Sequence, residues 1–147
     1  MPIMFLNGTA MSGQKDQGCH AGSTFLGPAR TAAHYRFFAI RDEFPGLFPV
    51  VRGGRAIVGE LYDIPEHILQ GSVLPGEPEE LDLGEVELED GERVCAMLLR
   101  PERLRPGDKV VDIAEFGGFR AYQAFLRANN PLCEVLDRAD LVPGPTP

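Results

Sequence analysis

The sequence predicts an α+β domain, a barrel or sandwich of six or seven short strands with one solid helix near its end. Three observations carry this. Glycine (17) and proline (13) are frequent in 147 residues, which suits many short elements joined by turns rather than a helical bundle. Several segments alternate apolar and polar residues with the period of two that a half-buried strand requires. In Gly118–Asn129, by contrast, Phe119, Tyr122, Phe125 and Leu126 recur at helical spacing before Asn130-Pro131. Many short strands in one chain favour a closed or nearly closed sheet, which removes vulnerable edges.

Taken in order, Pro2–Leu6 is an apolar run ended by Asn7-Gly8, a buried strand entering a tight turn. Met11–Gly22 is polar and glycine-punctuated, a short helix and a loop. Thr24–Ala29 and Ala32–Ile40 read as strands, the second with Tyr35, Phe37 and Ala39 alternating against Arg36 and Phe38. Pro45-Gly46 reads as a type II turn, and Gly53-Gly54 as a hairpin turn between Pro49–Val51 and Ala56–Asp63. In the latter strand Val58, Glu60 and Tyr62 share one face. Pro65–Gln70 forms one or two helical turns with Asp63 as a cap. Ser72–Glu80 is an acidic, proline-interrupted loop. Leu81–Leu88 and Arg93–Leu99 flank Glu89-Asp90-Gly91-Glu92, a second hairpin. Residues 1–140 are expected to be a single domain, and the tail 141–147 (LVPGPTP) to fray.

Composition narrows the function classes. With 14 Lys+Arg against 22 Asp+Glu, the net charge is −8, and no basic run offsets it, so nucleic acid is not an expected partner. Cys19, Cys95 and Cys133 are widely spaced and form no CxxC pair, which argues against a disulfide framework or a zinc site. No basic leader precedes the first apolar run, and no stretch approaches the ~20 apolar residues that cross a bilayer. The expected setting is cytoplasmic.

The order of motifs is more informative than any one of them. Asn7-Gly8-Thr9-Ala10-Met11-Ser12-Gly13 follows the first strand. Next come Phe25-Leu26-Gly27-Pro28-Ala29-Arg30-Thr31, Tyr35-Arg36-Phe37, Phe44-Pro45-Gly46-Leu47 and Val58-Gly59-Glu60-Leu61-Tyr62-Asp63-Ile64. This series resembles the γ-glutamylcyclotransferase-like superfamily. Leu83-Gly84-Glu85-Val86-Glu87-Leu88 and Ile113–Tyr122 are similar to the allophanate hydrolase carboxy-terminal domain. The resemblance covers most of residues 3–126. It implies a γ-glutamylcyclotransferase-like mixed β-barrel with short helices and one C-terminal helix, in a stand-alone domain of urea/allophanate-type nitrogen metabolism. The implied substrate is a small carboxylated amide or carbamate, which the domain decarboxylates. The alternative is a non-catalytic binding or assembly module for a partner amidase. Family cyclotransferases carry a catalytic Glu after the short helix, where this chain has Leu69-Gln70-Gly71-Ser72-Val73; Glu77, Glu79 and Glu80 follow in the loop, out of register. That departure argues against cyclotransferase activity.

The candidate site follows from the residues and the resemblance together. Gly8 allows close backbone approach, and successive amides of Asn7, Gly8, Thr9 and Ala10 suit an anion; a plain turn capped by Asn7 is the bland reading. Glu60 is the candidate catalytic carboxyl, since burial in an apolar cavity raises a carboxyl pKa; the bland reading is a structural ion pair with an arginine. Tyr35 and Tyr62 are packing aromatics or ligand-orienting hydroxyls. Arg120, at a helix start, needs a carboxylate partner, either a ligand or Glu115; Arg36 is a second cation for a bound anion. His20, His34 and His67 are dispersed and suggest no metal. No cofactor is expected. The expected partners are a small carboxylated metabolite, a separate amidase and, as a further option, a second copy of the chain.

Overall fold

The computed structural model describes residues 3–129. Eight strands form one curled half-barrel sheet: β1 (Ile3–Leu6), β2 (Thr24–Arg30), β3 (Tyr35–Ile40), β4 (Phe44–Pro49), β5 (Val58–Asp63), β6 (Leu81–Glu87), β7 (Arg93–Leu99) and β8 (Val110–Asp112). Two helices accompany it. Helix α1 (Glu66–Ile68) runs directly into a π-helical turn, Leu69–Val73, and α2 (Phe119–Asn129) is the one long helix. The count is eight strands rather than six or seven because the three-residue β8 adds to the edge of β3. No helix among the described residues is long and apolar enough to cross a membrane.

Strand β7 organises the sheet. One of its edges pairs along its whole length with β6, from Leu81↔Leu99 to Glu87↔Arg93, across the Glu89–Glu92 hairpin expected from sequence. Its other edge serves two parallel partners in succession: β1, at Met4↔Cys95 and Phe5↔Ala96, then β4, at Leu47↔Leu98. From β1 the sheet continues antiparallel to β5 and β2. A bridge between Thr31 and Leu88 then ties the end of β2 to the end of β6 and closes that ring of strands at one end. From β4 the sheet continues to β3 and β8. The interior holds Met4, Phe5, Phe37, Leu47, Ile57, Ile64 and Val86, all essentially inaccessible to solvent.

Three local expectations are corrected. Gly53-Gly54 is not a hairpin turn, because β4 does not pair with β5; β5 lies between β1 and β2. Gly54 is instead a close crossing, where a Cβ would lie 2.6 Å from the Ala33 carbonyl oxygen. Pro45-Gly46 is not a turn but the middle of β4, opposite Ala39 and Phe38. The real turn of that hairpin is Arg41-Asp42, both in the left-handed region at φ 53° and 58°. Such a conformation costs roughly 1 kcal/mol or more per non-glycine residue. It is held by Arg41 pairing with the buried Glu80 (3.0 Å), and by Asp42 accepting from the Tyr122 hydroxyl (2.6 Å) and Lys109 (2.7 Å). Finally, Asp63 is not the cap of α1; Pro65 occupies that position and no side chain caps the helix. The tail 141–147 lies outside the described residues.

The glycine at position 8 is required by packing. A Cβ there would lie 2.6 Å from Cδ of Pro45, well inside contact distance. Gly8→Ala is expected to lower stability by about 1–3 kcal/mol, the usual range for overpacking, and to displace the Asn7–Ala10 loop. Chemical denaturation of the purified variant beside the parent checks this.

Candidate functional site

The succession of β1 and β4 along one edge of β7 leaves a fork where the two strands part. The chain leaves β1 at Asn7, inside that fork. Asn7, Gly8, Thr9 and Ala10 line one wall of a narrow cavity of about 30 Å³, with Phe5, Leu6, Phe44, Pro45, Leu81 and Met97 forming apolar walls and Glu77 the remaining polar one. At roughly 10–15 Å³ per water, this is room for a couple of waters or one carboxylate group.

The loop's carbonyls are all engaged. The Gly8 carbonyl accepts from the Met11 N–H (3.1 Å), the Thr9 carbonyl from the Asp16 N–H (2.8 Å), and the Ala10 carbonyl from Nε2 of the buried His20 (2.7 Å). Every carbonyl of Gly8–Ala10 therefore has a donor. Among the described residues, none of these hydrogen bonds uses the N–H groups of Gly8, Thr9 or Ala10. Three amide donors beside a cavity, with their carbonyls tied elsewhere, form the kind of backbone concavity that suits an anion.

Glu77 reaches this cavity by a route that sequence spacing conceals. The π-helical turn anchors its buried Leu69 and Val73 in the core, and the following turn, Glu77 N–H to Leu74 carbonyl at 3.2 Å, brings residue 77 to the loop. Burial, reinforced by the negative charge of Asp16, pushes its carboxyl up to about 7. The neighbouring Glu79 and Glu80 have other roles. Glu79 pairs at the surface with Arg105 (2.9 Å), and Glu80 is buried against Arg41.

The expected site residues divide into three groups, the last being Tyr35 and Arg36. Asn7, Gly8, Thr9 and Ala10 line the cavity. Glu60, Tyr62 and Arg120 lie together behind the loop and do not line it. Glu60 is 7% exposed and faces inward with Tyr62, while Val58, on the same face, is exposed at the strand's start. The Glu60 carboxylate accepts from the Ser12 N–H (2.7 Å), the Ser12 hydroxyl (2.7 Å) and the Tyr62 hydroxyl (3.1 Å), with Nη2 of Arg120 at 3.4 Å. Burial acts to raise its pKa, but these hydrogen bonds and the Arg120 charge outweigh burial and leave it below the ordinary value. This departs from the raised value expected of a carboxyl in an apolar cavity, because its surroundings are polar. Arg120 also donates to the Ser12 carbonyl. Its carboxylate partner is Glu60 rather than Glu115, which pairs with Arg55 and Arg36. Arg36 is bound to Asp112 (2.7 Å) and lies away from the cavity lining. The buried Tyr35 accepts at its hydroxyl from the Glu87 N–H (2.8 Å) and does not line the cavity. No group of three or more His, Cys, Asp or Glu among the described residues could hold a metal.

Residues 3–124 match the allophanate hydrolase C-terminal domain family. The chain belongs to this family. Similarity to known proteins agrees. The urea amidolyase of Saccharomyces cerevisiae is 33% identical over 110 residues, which are 71% of this chain and 6% of that protein. The chain thus spans a small fraction of that relative. A uropathogenic E. coli-specific protein of known structure is 32% identical, with a TM-score of 0.76, over 84% of this chain and 95% of that one. An AIG2-like protein of Mus musculus, 19% identical with a TM-score of 0.55 over 72% of this chain and 80% of its own, shows the fold alone. That fold is the γ-glutamylcyclotransferase-like one that the motifs imply, with the expected mixed barrel realised as a half-barrel sheet.

The Glu77 environment has a sign that stability measurements read. In the unfolded chain its carboxyl titrates near 4.5, in the folded domain near 7, so the folded state holds a proton that the unfolded state gives up between those values. The associated stabilisation is complete below the lower pKa and is lost as pH rises through the higher one, on the order of 3 kcal/mol in all. Glu77→Gln is expected to flatten this part of the stability–pH profile and to be more stable than the parent at pH ~8. Denaturation midpoints of both proteins across that range check it.

Proposed function

We propose that this domain binds a small carboxylated amide or carbamate in the fork cavity and releases one of its carboxyl groups as carbon dioxide. The observation that carries this reading is that three loop residues whose amides donate no hydrogen bond within the described residues line, together with a protonatable Glu77, a cavity sized for a carboxylate. The amides of Gly8, Thr9 and Ala10 hold the carboxylate that is retained, on the side where Thr9 also borders a wider cleft, so that only the carboxylate to be lost occupies the cavity. The carboxylate to be lost sits against Phe5, Phe44 and Met97, whose apolar side chains solvate charge poorly and favour departure of neutral carbon dioxide. Glu77 donates its proton to the substrate nitrogen as the bond from nitrogen to the departing carboxyl carbon breaks. The bonding pair stays on nitrogen, and solvent reprotonates Glu77. A carboxyl with a pKa near the operating pH suits such general-acid work.

Family membership supports a place in allophanate-type nitrogen metabolism, with a separate amidase supplying the substrate. The described cysteines, Cys19 and Cys95, are free, in keeping with the cytoplasmic setting we infer.

The test follows carbon dioxide release from N-carboxycarbamate by the purified protein. Acceleration over solvent is expected, falling as pH rises through about 7, and Glu77→Gln should lose about 100-fold, at the low end of general-acid contributions. Malonate, a stable dicarboxylate, should shift the Gly8–Ala10 amides in the same pH window. No acceleration beside a clear malonate response would leave a binding module that serves an amidase. Absence of both responses would overturn the pocket reading.

A further inference from the structure

We infer that Glu60 is a positioning residue for the anion site: it acts as a fixed negative anchor that holds the loop amides in place and does not touch substrate. The inference rests on the pocket reading above and extends it to the residues behind the loop.

The anchor lies where the loop needs it. Glu60 stands opposite Leu6, the last residue of β1, in the β1–β5 register, so it is fixed beside the point where the loop departs. Its carboxylate then grips Ser12, where the loop ends, through both the backbone N–H and the hydroxyl at 2.7 Å. One side chain thus ties the start of the loop, through the sheet, to its finish. Between these points the Met11 N–H to Gly8 carbonyl bond closes a tight turn. Moving Ser12 would therefore move the turn, and with it the amides of Thr9 and Ala10.

The remaining contacts of the anchor reinforce the same job. Arg120 bridges Glu60 and the Ser12 carbonyl and hydroxyl, so α2 is fastened to the loop as well. The Tyr62 hydroxyl donates to Glu60, and the Tyr62 ring packs 4.4 Å from the His20 ring, whose Nε2 holds the Ala10 carbonyl. Both ends of the amide row are thereby connected to one carboxylate. With Ser12, Tyr62 and Arg120 all on it, Glu60 does not line the fork cavity and makes no direct approach to a molecule bound there.

An amide at this position breaks the arrangement. In Glu60→Gln the carbonyl can still accept the Ser12 N–H, but the NH2 group faces the Ser12 hydroxyl and the Arg120 guanidinium, and the charge that holds Arg120 is gone.

The experiment compares malonate binding and backbone amide spectra of the parent, Glu60→Gln, Ser12→Ala, Ser12→Thr and Glu77→Gln. Glu60→Gln is expected to shift the ligand-free Thr9, Ala10 and Ser12 amides and to weaken malonate by about tenfold, roughly 1.4 kcal/mol, with the pH midpoint of binding unchanged. Ser12→Ala should do the same to a smaller degree, and Ser12→Thr, which keeps the hydroxyl, should restore parental values. Glu77→Gln should remove the pH dependence and leave the ligand-free Ser12 amide in place. Parental loop amides and parental affinity in Glu60→Gln would overturn the inference while leaving the pocket reading standing. So would a pH midpoint that moves with Glu60→Gln, since that marks a proton-handling group. If the parent itself ignores malonate, the pocket reading falls, and undisturbed loop amides in both Glu60→Gln and Ser12→Ala would retire the anchor too. Should Glu60→Gln fail to fold, the two Ser12 variants decide: identical loop spectra and affinity for alanine and threonine would sink the idea.

Discussion

Strand β7 has one edge to offer β1 and β4, and it gives each strand part of its length. Parallel pairing requires each partner to run alongside, so where one takes over from the other the two must diverge. The cavity is that divergence. Its walls are the residues at the parting point, Phe5 and Leu6 from β1 and Phe44 and Pro45 from β4, with Met97 of β7 beneath. Gly8 is the closest point of approach, where the loop passes the Pro45 ring without room for a Cβ. Sheet pairing thus creates both the gap and the chain segment that lines it, much as ligands settle at switch points of open α/β sheets.

Two carboxyls on either side of this loop have been driven in opposite directions. Glu60 is nearly inaccessible yet ionised, because Ser12 supplies two hydrogen bonds, Tyr62 a third, and Arg120 a charge. Glu77 is less enclosed, and burial together with the Asp16 charge raises it. Burial opposes ionisation in both, and the hydrogen-bond supply decides the outcome. Pairs of titratable groups pushed apart in this way commonly divide labour between holding charge and moving protons.

The sequence carried the fold well and the site unevenly. The Glu89–Glu92 hairpin and the helix from residue 119 were legible because period and turn chemistry are local. Pro45-Gly46 misled, since a proline-glycine pair also suits a strand that another chain segment must approach closely, and only tertiary packing distinguishes the two. The same holds for Gly53-Gly54. The loop Asn7–Ala10 was found by its glycine and its motif context. Glu77 was hidden because Glu77, Glu79 and Glu80 look alike in an acidic loop; their separate fates depend on a π-helical turn and on Arg41 and Arg105, which are distant in sequence. Glu60 was picked out as an inward carboxyl by strand alternation, but alternation says nothing of the Ser12 and Arg120 donors that set its charge.

The overall charge of −8 sharpens what such a site can bind. The long-range field of an acidic domain repels an anionic ligand, and the cavity answers with neutral amide donors and an uncharged acid rather than with a cation. Arg120 and Arg36, the two cations among the expected site residues, are committed to Glu60 and to Asp112. Under the proposed function, affinity for a carboxylate would be modest and would depend on Glu77 being protonated, because an ionised Glu77 would place a like charge in the same small space. Modest ground-state binding would be no handicap for the proposed decarboxylation. A site that solvates the departing carboxylate poorly favours its loss as carbon dioxide, whereas a tight cationic grip would hold the reactant in place.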